Sequence, residues 1–192
     1  MVASDSIKLT QEEKEQLIEI CKQAIQQHLN GAPFTLPAPP KSKKLLQPLP
    51  CFVTLTINDN LRGCIGTYQH GNALWQNVYH YAYSSAFEDS RFPSLEVDEL
   101  NQLKIEISIL SPLQEIQNNG EIALIKELQI GVDGLLLEED WHKAIFLPTV
   151  WLSLPDPREF VEHLKQKGGW PKDYWSKNIR LQRFSTVIFS AY

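Results

Sequence analysis

The sequence is short of cysteine: three in 192 residues, with no CxxC pair, too few and too scattered for a disulfide scaffold or a cysteine-rich zinc site. No apolar run approaches the ~18 residues of a membrane span, and the first thirty residues lack the basic-then-apolar pattern of a secretory leader. A reduced, cytoplasmic setting without membrane contact is therefore expected. Positive charge is also short, with 18 Lys+Arg against 23 Asp+Glu and a formal charge of -5, which disfavours broad nucleic-acid binding. There is no GxxxxGK[ST] loop, no GxGxxG fingerprint and no serine elbow, so nucleotide-triphosphatase, dinucleotide oxidoreductase and serine hydrolase readings lose support. The five histidines (His28, His70, His80, His142, His163) make no HExxH or other tight ligand spacing, so no metal site is expected and no cofactor is implied.

What remains is an ordinary core-forming chain, 43% hydrophobic, of a length that suits one domain spanning residues 1–192. Thr10 followed by Glu13 is a capping box, and Leu17, Cys21, Ala24, Ile25 and His28 continue it as an amphipathic helix that Asn30-Gly31 stops. A proline-rich connector covers 31–50, holding six of the twelve prolines. Strict alternation over Cys51–Ile57 predicts a strand, with Leu61–Ile65 returning beside it after Asn58-Asp59-Asn60. Ala73–Phe87 fits a helix with Leu74, Val78, Ala82 and Ser85 inward, and Leu103–Ile109 alternates as a half-buried strand. Strands at Leu135–Leu137 and Lys143–Leu147 read as a hairpin, Asp156-Pro157 opens a helix that Gly168-Gly169 closes, and Ile179–Phe189 reads as one long terminal strand. Hairpin-joined strands with helices at intervals define an α+β fold with a largely antiparallel sheet flanked by helices.

Leu61-Arg62-Gly63-Cys64-Ile65-Gly66 is the stretch that could carry chemistry. Period-two geometry puts Arg62 and Cys64 on one face, where the cation would favour a thiolate, and Gly63 and Gly66 admit a ligand or a neighbouring backbone. The alternative is that Cys64 is a small buried hydrophobe and the glycines shape the sheet. Cys51 lies three or four residues from Cys64's cross-strand neighbour, on the order of 10 Å away, so a disulfide between them is barred and Cys64 is a free thiol. Asp89 and Arg91 read either as an acid and an anion clamp or as an internal pair fixing a turn. Glu106 reads as a general acid or as the partner of an arginine. Lys41, Lys43, Lys44, Arg180 and Arg183 are the cations on which any nucleic-acid contact would rest.

The stretches CFVTLTINDNLRGCIGT, FEDSRFPSL, LKIEISILSP, GVDGLLLEE and FLPTV, in that order, closely resemble the AMMECR-domain family, which supplies the A component of the AmmeMemoRadiSam system. The family pattern continues as Leu-Pro-Gln-Val where this chain has Leu147-Pro148-Thr149-Val150. The resemblance implies two intimate subdomains with a cleft between them near the LRGCIG hexapeptide, and Memo-like and radical S-adenosylmethionine proteins as partners. Together with the residues it gives two functional expectations. In one, a cleft centred on Arg62 and Cys64 takes a small anionic substrate or a modified protein segment, with Cys64 as nucleophile or redox thiol, Arg62 holding the anion, and Asp89, Arg91 and Glu106 ordering the surroundings. In the other, the chain is a non-catalytic interaction module whose hexapeptide is structural.

Overall fold

Thr10 opens the first helix through the reciprocal bonds its spacing to Glu13 promises: its hydroxyl accepts the Glu13 amide at 3.2 Å, and the Glu13 carboxylate accepts the Thr10 amide at 2.8 Å. The helix, α1, runs Gln11–Leu29 and ends at Gly31, whose φ of +69° is the left-handed stop. The computed structural model describes residues 7–191. The proline connector that follows has no regular element, yet it is docked. Trp75 and Leu74 donate their amides to the Leu45 and Gln47 carbonyls, and the Asn77 side chain donates to the Leu49 carbonyl. Within its lysine run, Ser42 donates to Glu13 at 2.7 Å and the Lys44 ammonium to the Lys8 carbonyl.

The chain forms two units. The first runs up to Leu110 and resumes at Val187; the second is Ser111–Thr186. In the first, β1 (Cys51–Ile57) turns through Asn58-Asp59 into β2 (Asn60–Gly66). Both turn residues have positive φ, 50° and 60°, as a two-residue primed turn requires. Then come α2 (Leu74–Phe87) and β3 (Leu103–Leu110). The sheet order is β2-β1-β3-β8, where β8 is Thr186–Ala191. Cys51, Val53 and Leu55, with Ile105, Ile107 and Ile109, form one fully buried face, packed with Leu17, Cys21 and Ile25 of α1 and Leu74, Val78 and Ala82 of α2. Phe52, Thr54, Thr56 and Glu106 alternate to the opposite, half-buried face.

The second unit contains β4 (Gln114–Ile116), α3 (Glu121–Glu127), β5 (Gly134–Glu139), β6 (His142–Phe146), α4 (Pro157–Lys167) and β7 (Arg180–Phe184), its sheet ordered β4-β7-β5-β6. Asp156 caps α4 by accepting the Arg158 and Glu159 amides, and Trp151 stacks on Phe160 with centroids 3.8 Å apart. The Lys165 ammonium is 1% exposed and is held by Glu121 at 2.7 Å and the Tyr174 carbonyl at 3.1 Å. The protein is thus α+β, with two four-stranded, largely antiparallel sheets rather than the single sheet expected. The terminal strand expected over Ile179–Phe189 is in fact two, β7 and β8, in different sheets. Ser185 separates them, its amide bonded to the Ser111 hydroxyl and its carbonyl to the Ser111 amide. Its mixed hydrophobic faces were the sum of two short strands, each with its own inward side.

Candidate functional site

The whole hexapeptide lies in β2, at the edge of the first sheet. Its register is set by an insertion. Ile57 pairs with Asn60 and Thr56 with Leu61, but Leu55 pairs with Gly63, so Arg62 is the extra residue of a β-bulge. Past the bulge Thr54 faces Cys64, the register a three-residue turn would give, reached here by a two-residue turn plus one bulged residue. Gly63 lets α2 approach to backbone contact: a Cβ there would lie 1.9 Å from the Ser85 carbonyl oxygen. That approach brings the Ser85 hydroxyl between the strands, where it donates to the Val53 carbonyl at 2.8 Å and accepts the Ile65 amide at 2.9 Å. Gly66 is filled in the same way by Cys51 and Phe52. The space both glycines leave is taken by the protein's own backbone and, at Gly66, by the Phe52 ring as well.

The Arg62 guanidinium turns to the segment after α2. It binds Glu99 in a bidentate fork, Nε to Oε1 at 2.6 Å and Nη2 to Oε2 at 2.9 Å, and donates to the Pro93 and Ser94 carbonyls. Glu99 is pulled below the usual carboxylate range by that hydrogen bonding, and Arg62 is raised by the same partner. At Cys64, Asp89 and Arg91 replace a neighbouring strand: the Cys64 amide donates to Asp89 at 2.9 Å and Arg91 donates to the Cys64 carbonyl at 3.2 Å. Arg91 also forks onto Asp89 at 2.6 and 2.9 Å. The Arg91 guanidinium, with help from the Cys64 and Arg91 amides, holds the Asp89 carboxyl far below its ordinary value against the cost of its burial. Asp89 and Arg91 are thus a charge-assisted internal pair that seals a strand edge. The arginine that bonds at Cys64 is Arg91, through the backbone carbonyl, not Arg62, which turns to Glu99.

The thiol of Cys64 is free and half-exposed, and its sulfur accepts a hydrogen bond from the Thr54 hydroxyl at 3.3 Å. Thr54 in turn faces Glu106 on β3, so Cys64, Thr54 and Glu106 form one cross-strand row on the polar face. Among the described residues Glu106 reaches no arginine and makes no ion pair. Cys21 and Cys51 are fully buried, and burial pushes both thiols up. Among the described residues no group of histidines, cysteines and carboxylates could hold a metal, and no helix is long and apolar enough to cross a membrane. Arg180 pairs with Glu115, Arg183 with Glu127 and Lys44 with Glu13.

Sequence reasoning missed Glu99, Ser85 and Thr54. Thr54 stands in the predicted strand, but whether Thr54 or Leu55 faces Cys64 depends on the length of the turn. Ser85 was placed on the inward stripe of α2, but nothing marked its hydroxyl as a rung between strands. Glu99 had one signal, a Glu-x-x-Glu spacing that makes its carboxylate accept the Glu96 amide at the start of a 3-10 turn, Val97–Gln102.

This fold of two four-stranded sheets with helices has a close counterpart among solved structures, and the sequence has relatives along most of its length. The chain belongs to the AMMECR1 family, whose model matches residues 18–189. A Methanothermobacter thermautotrophicus protein is 31% identical over 191 residues, covering 94% of this chain and 95% of the relative. A Methanocaldococcus jannaschii protein is 31% identical over 185 residues, covering 94% and 91%. The crystal structure of an uncharacterized Pyrococcus horikoshii protein superposes with a TM-score of 0.83 at 28% identity, covering 92% of this chain and 90% of that one.

Proposed function

We propose that the hexapeptide is a structural frame and that the protein acts through what this frame presents: the Cys64 thiol on the polar sheet face, with Arg91 beside it as the contact for an anion. The observation that carries this reading is the state of the two arginines. Each is forked onto a carboxylate, Arg62 onto Glu99 and Arg91 onto Asp89, but the Arg62 side chain is 11% exposed with two further carbonyls on it, whereas the Arg91 side chain is 54% exposed and its Nη1 bonds nothing among the described residues. The ligand is then a small molecule or a modified protein segment bearing a carboxylate or phosphate, bound at Arg91 with its neighbouring atoms over Cys64 and Thr54. A modified segment is also what Memo-like and radical S-adenosylmethionine partners would supply, and a half-exposed free thiol suits a reducing, cytoplasmic compartment. Thiol chemistry is open to this geometry because Cys64 is unbridged and only partly buried; the frame itself, Arg62, Gly63, Gly66 and Asp89, holds the strand and does not touch the ligand.

Competition between iodoacetate and iodoacetamide tests this directly. Cys64 is expected to be the thiol alkylated in the folded protein, and an Arg91→Gln change is expected to lower the iodoacetate-to-iodoacetamide rate ratio several-fold, since ~1 kcal/mol of attraction is about fivefold in rate. A folded protein that resists both reagents, or an unchanged ratio, would sink the proposal.

A further inference from the structure

The two sheets have four edges between them, and three are closed. β2 is sealed at Cys64 by Asp89 and Arg91. β4 has only three residues, and on β6 the Lys167 ammonium takes the Ile145 carbonyl at 2.9 Å. Short strands and charged side chains laid on the edge are the means by which soluble proteins stop sheets from pairing with other chains. The fourth edge, β8, has neither. Thr186-Val187-Ile188-Phe189-Ser190-Ala191 contains no charge, proline or glycine, and among the described residues nothing outside the sheet bonds its backbone. Beside it a groove of about 330 Å³ runs between α1 and the strand, lined by Lys14, Glu15, Glu19, Lys22 and Phe189.

We propose that β8 is the interface to a second copy of this chain, pairing β8 against β8 antiparallel about a two-fold axis, so that the two first sheets continue into one. An isologous contact sets a surface against itself, so like charges oppose each other unless the surface has no net charge. The chain carries -5 overall, yet this strand is uncharged and its flanking groove holds two lysines and two glutamates. A strongly acidic or basic partner finds nothing to match here, while an identical strand does: antiparallel pairing satisfies the same alternation of outward N–H and C=O groups in both copies. Phe189 and Ala191 pack against the core, which leaves Ile188, 39% exposed, to meet its copy across the axis.

Sedimentation equilibrium of the full chain, run from roughly micromolar to roughly millimolar concentration, tests it. A monomer–dimer equilibrium is expected, weakened ~tenfold or more by Ile188→Lys, which opposes two ammonium groups across the axis. The melting temperature of the monomeric variant reports that the fold is intact. Hydrogen exchange at 187–191 should slow with concentration in the wild type and not in the variant. A chain monomeric throughout overturns the proposal, as does a dimer that Ile188→Lys leaves unchanged. Full protection of the β8 amides in the monomer also overturns it, because the edge would then be closed within one chain.

Discussion

The two hairpins of the molecule begin alike and end differently. β1–β2 and β5–β6 each turn through two residues, and each turn has a left-handed non-glycine residue at its first position, Asn58 and Asp140. The β5–β6 ladder then runs without interruption from Glu139 opposite His142 to Leu135 opposite Phe146. The β1–β2 ladder is interrupted by Arg62 just past the turn, and from there β2 also takes bonds from elsewhere: Ser85 between the strands, Asp89 and Arg91 on the outer edge at Cys64, and Glu99 at the Arg62 side chain. A single inserted residue has converted a self-sufficient hairpin into one that depends on the segment 85–99. The lesson is that the hexapeptide's glycines and arginine are best understood as the consequence of that bulge, and that its thiol is what remains unused.

Adding one methyl group to each hairpin should expose this dependence most strongly. In Gly63→Ala the new Cβ meets the Ser85 backbone, which cannot move without moving α2, so a loss of ~3 kcal/mol or more is expected. In Gly134→Ala, at the start of β5, the Cβ meets the Phe184 ring, which can shift, and ~1–2 kcal/mol is expected. Urea denaturation of both variants measures the gap. Equal losses would mean that the close approach at Gly63 is no more rigid than a ring contact.

Next in size is the seal itself. Asp89→Asn keeps the shape and removes the charge that Arg91 and the two amides share, at an expected ~1–3 kcal/mol near neutral pH. Because folding lowers the Asp89 pKa, the wild-type carboxylate adds stability above its unfolded value of ~3.9, and that addition is lost as the pH falls through the lower folded value. The gap between wild type and Asp89→Asn should therefore be constant through neutral pH and close in acid. A gap that widens in acid would show that another group, and not Asp89, titrates with folding. The buried carboxylate of the β5–β6 hairpin, Glu139, accepts from the Trp170 and Tyr174 side chains instead of sealing strand amides.

How far each hairpin could be read from sequence follows from the same difference. Alternation in Cys51–Ile57 and Leu103–Ile109, the Thr10–Glu13 box and the Asp156-Pro157 start depend on neighbours within four residues, and all of them stand in the structure. The bulge at Arg62, its pairing with Glu99 across 37 residues, and the Ser85 rung depend on where α2 lies, which no local pattern encodes. Period two placed Arg62 beside Cys64, and a bulge is the event that breaks period two. β4 and α3 were missed because three and seven residues are too few to show a period. The terminal strand was read as one because nothing in Phe184-Ser185-Thr186 marks a change of sheet.

The smallest effect should come from the most conspicuous residue of the regular hairpin. Trp141, at the β5–β6 turn, is 85% exposed and lies against the ring of His142, at 5.5 Å between centroids. An indole in that position has little apolar surface to lose to water on truncation, so Trp141→Ala should change stability by less than ~0.5 kcal/mol. The β5–β6 ladder beneath it is continuous, and Trp170, stacked on His142 and bonded to Glu139, keeps that ring in place without Trp141. If thermal unfolding shows a loss several times larger, the β5–β6 hairpin is not self-sufficient after all, and the contrast with β1–β2 narrows to the bulge alone.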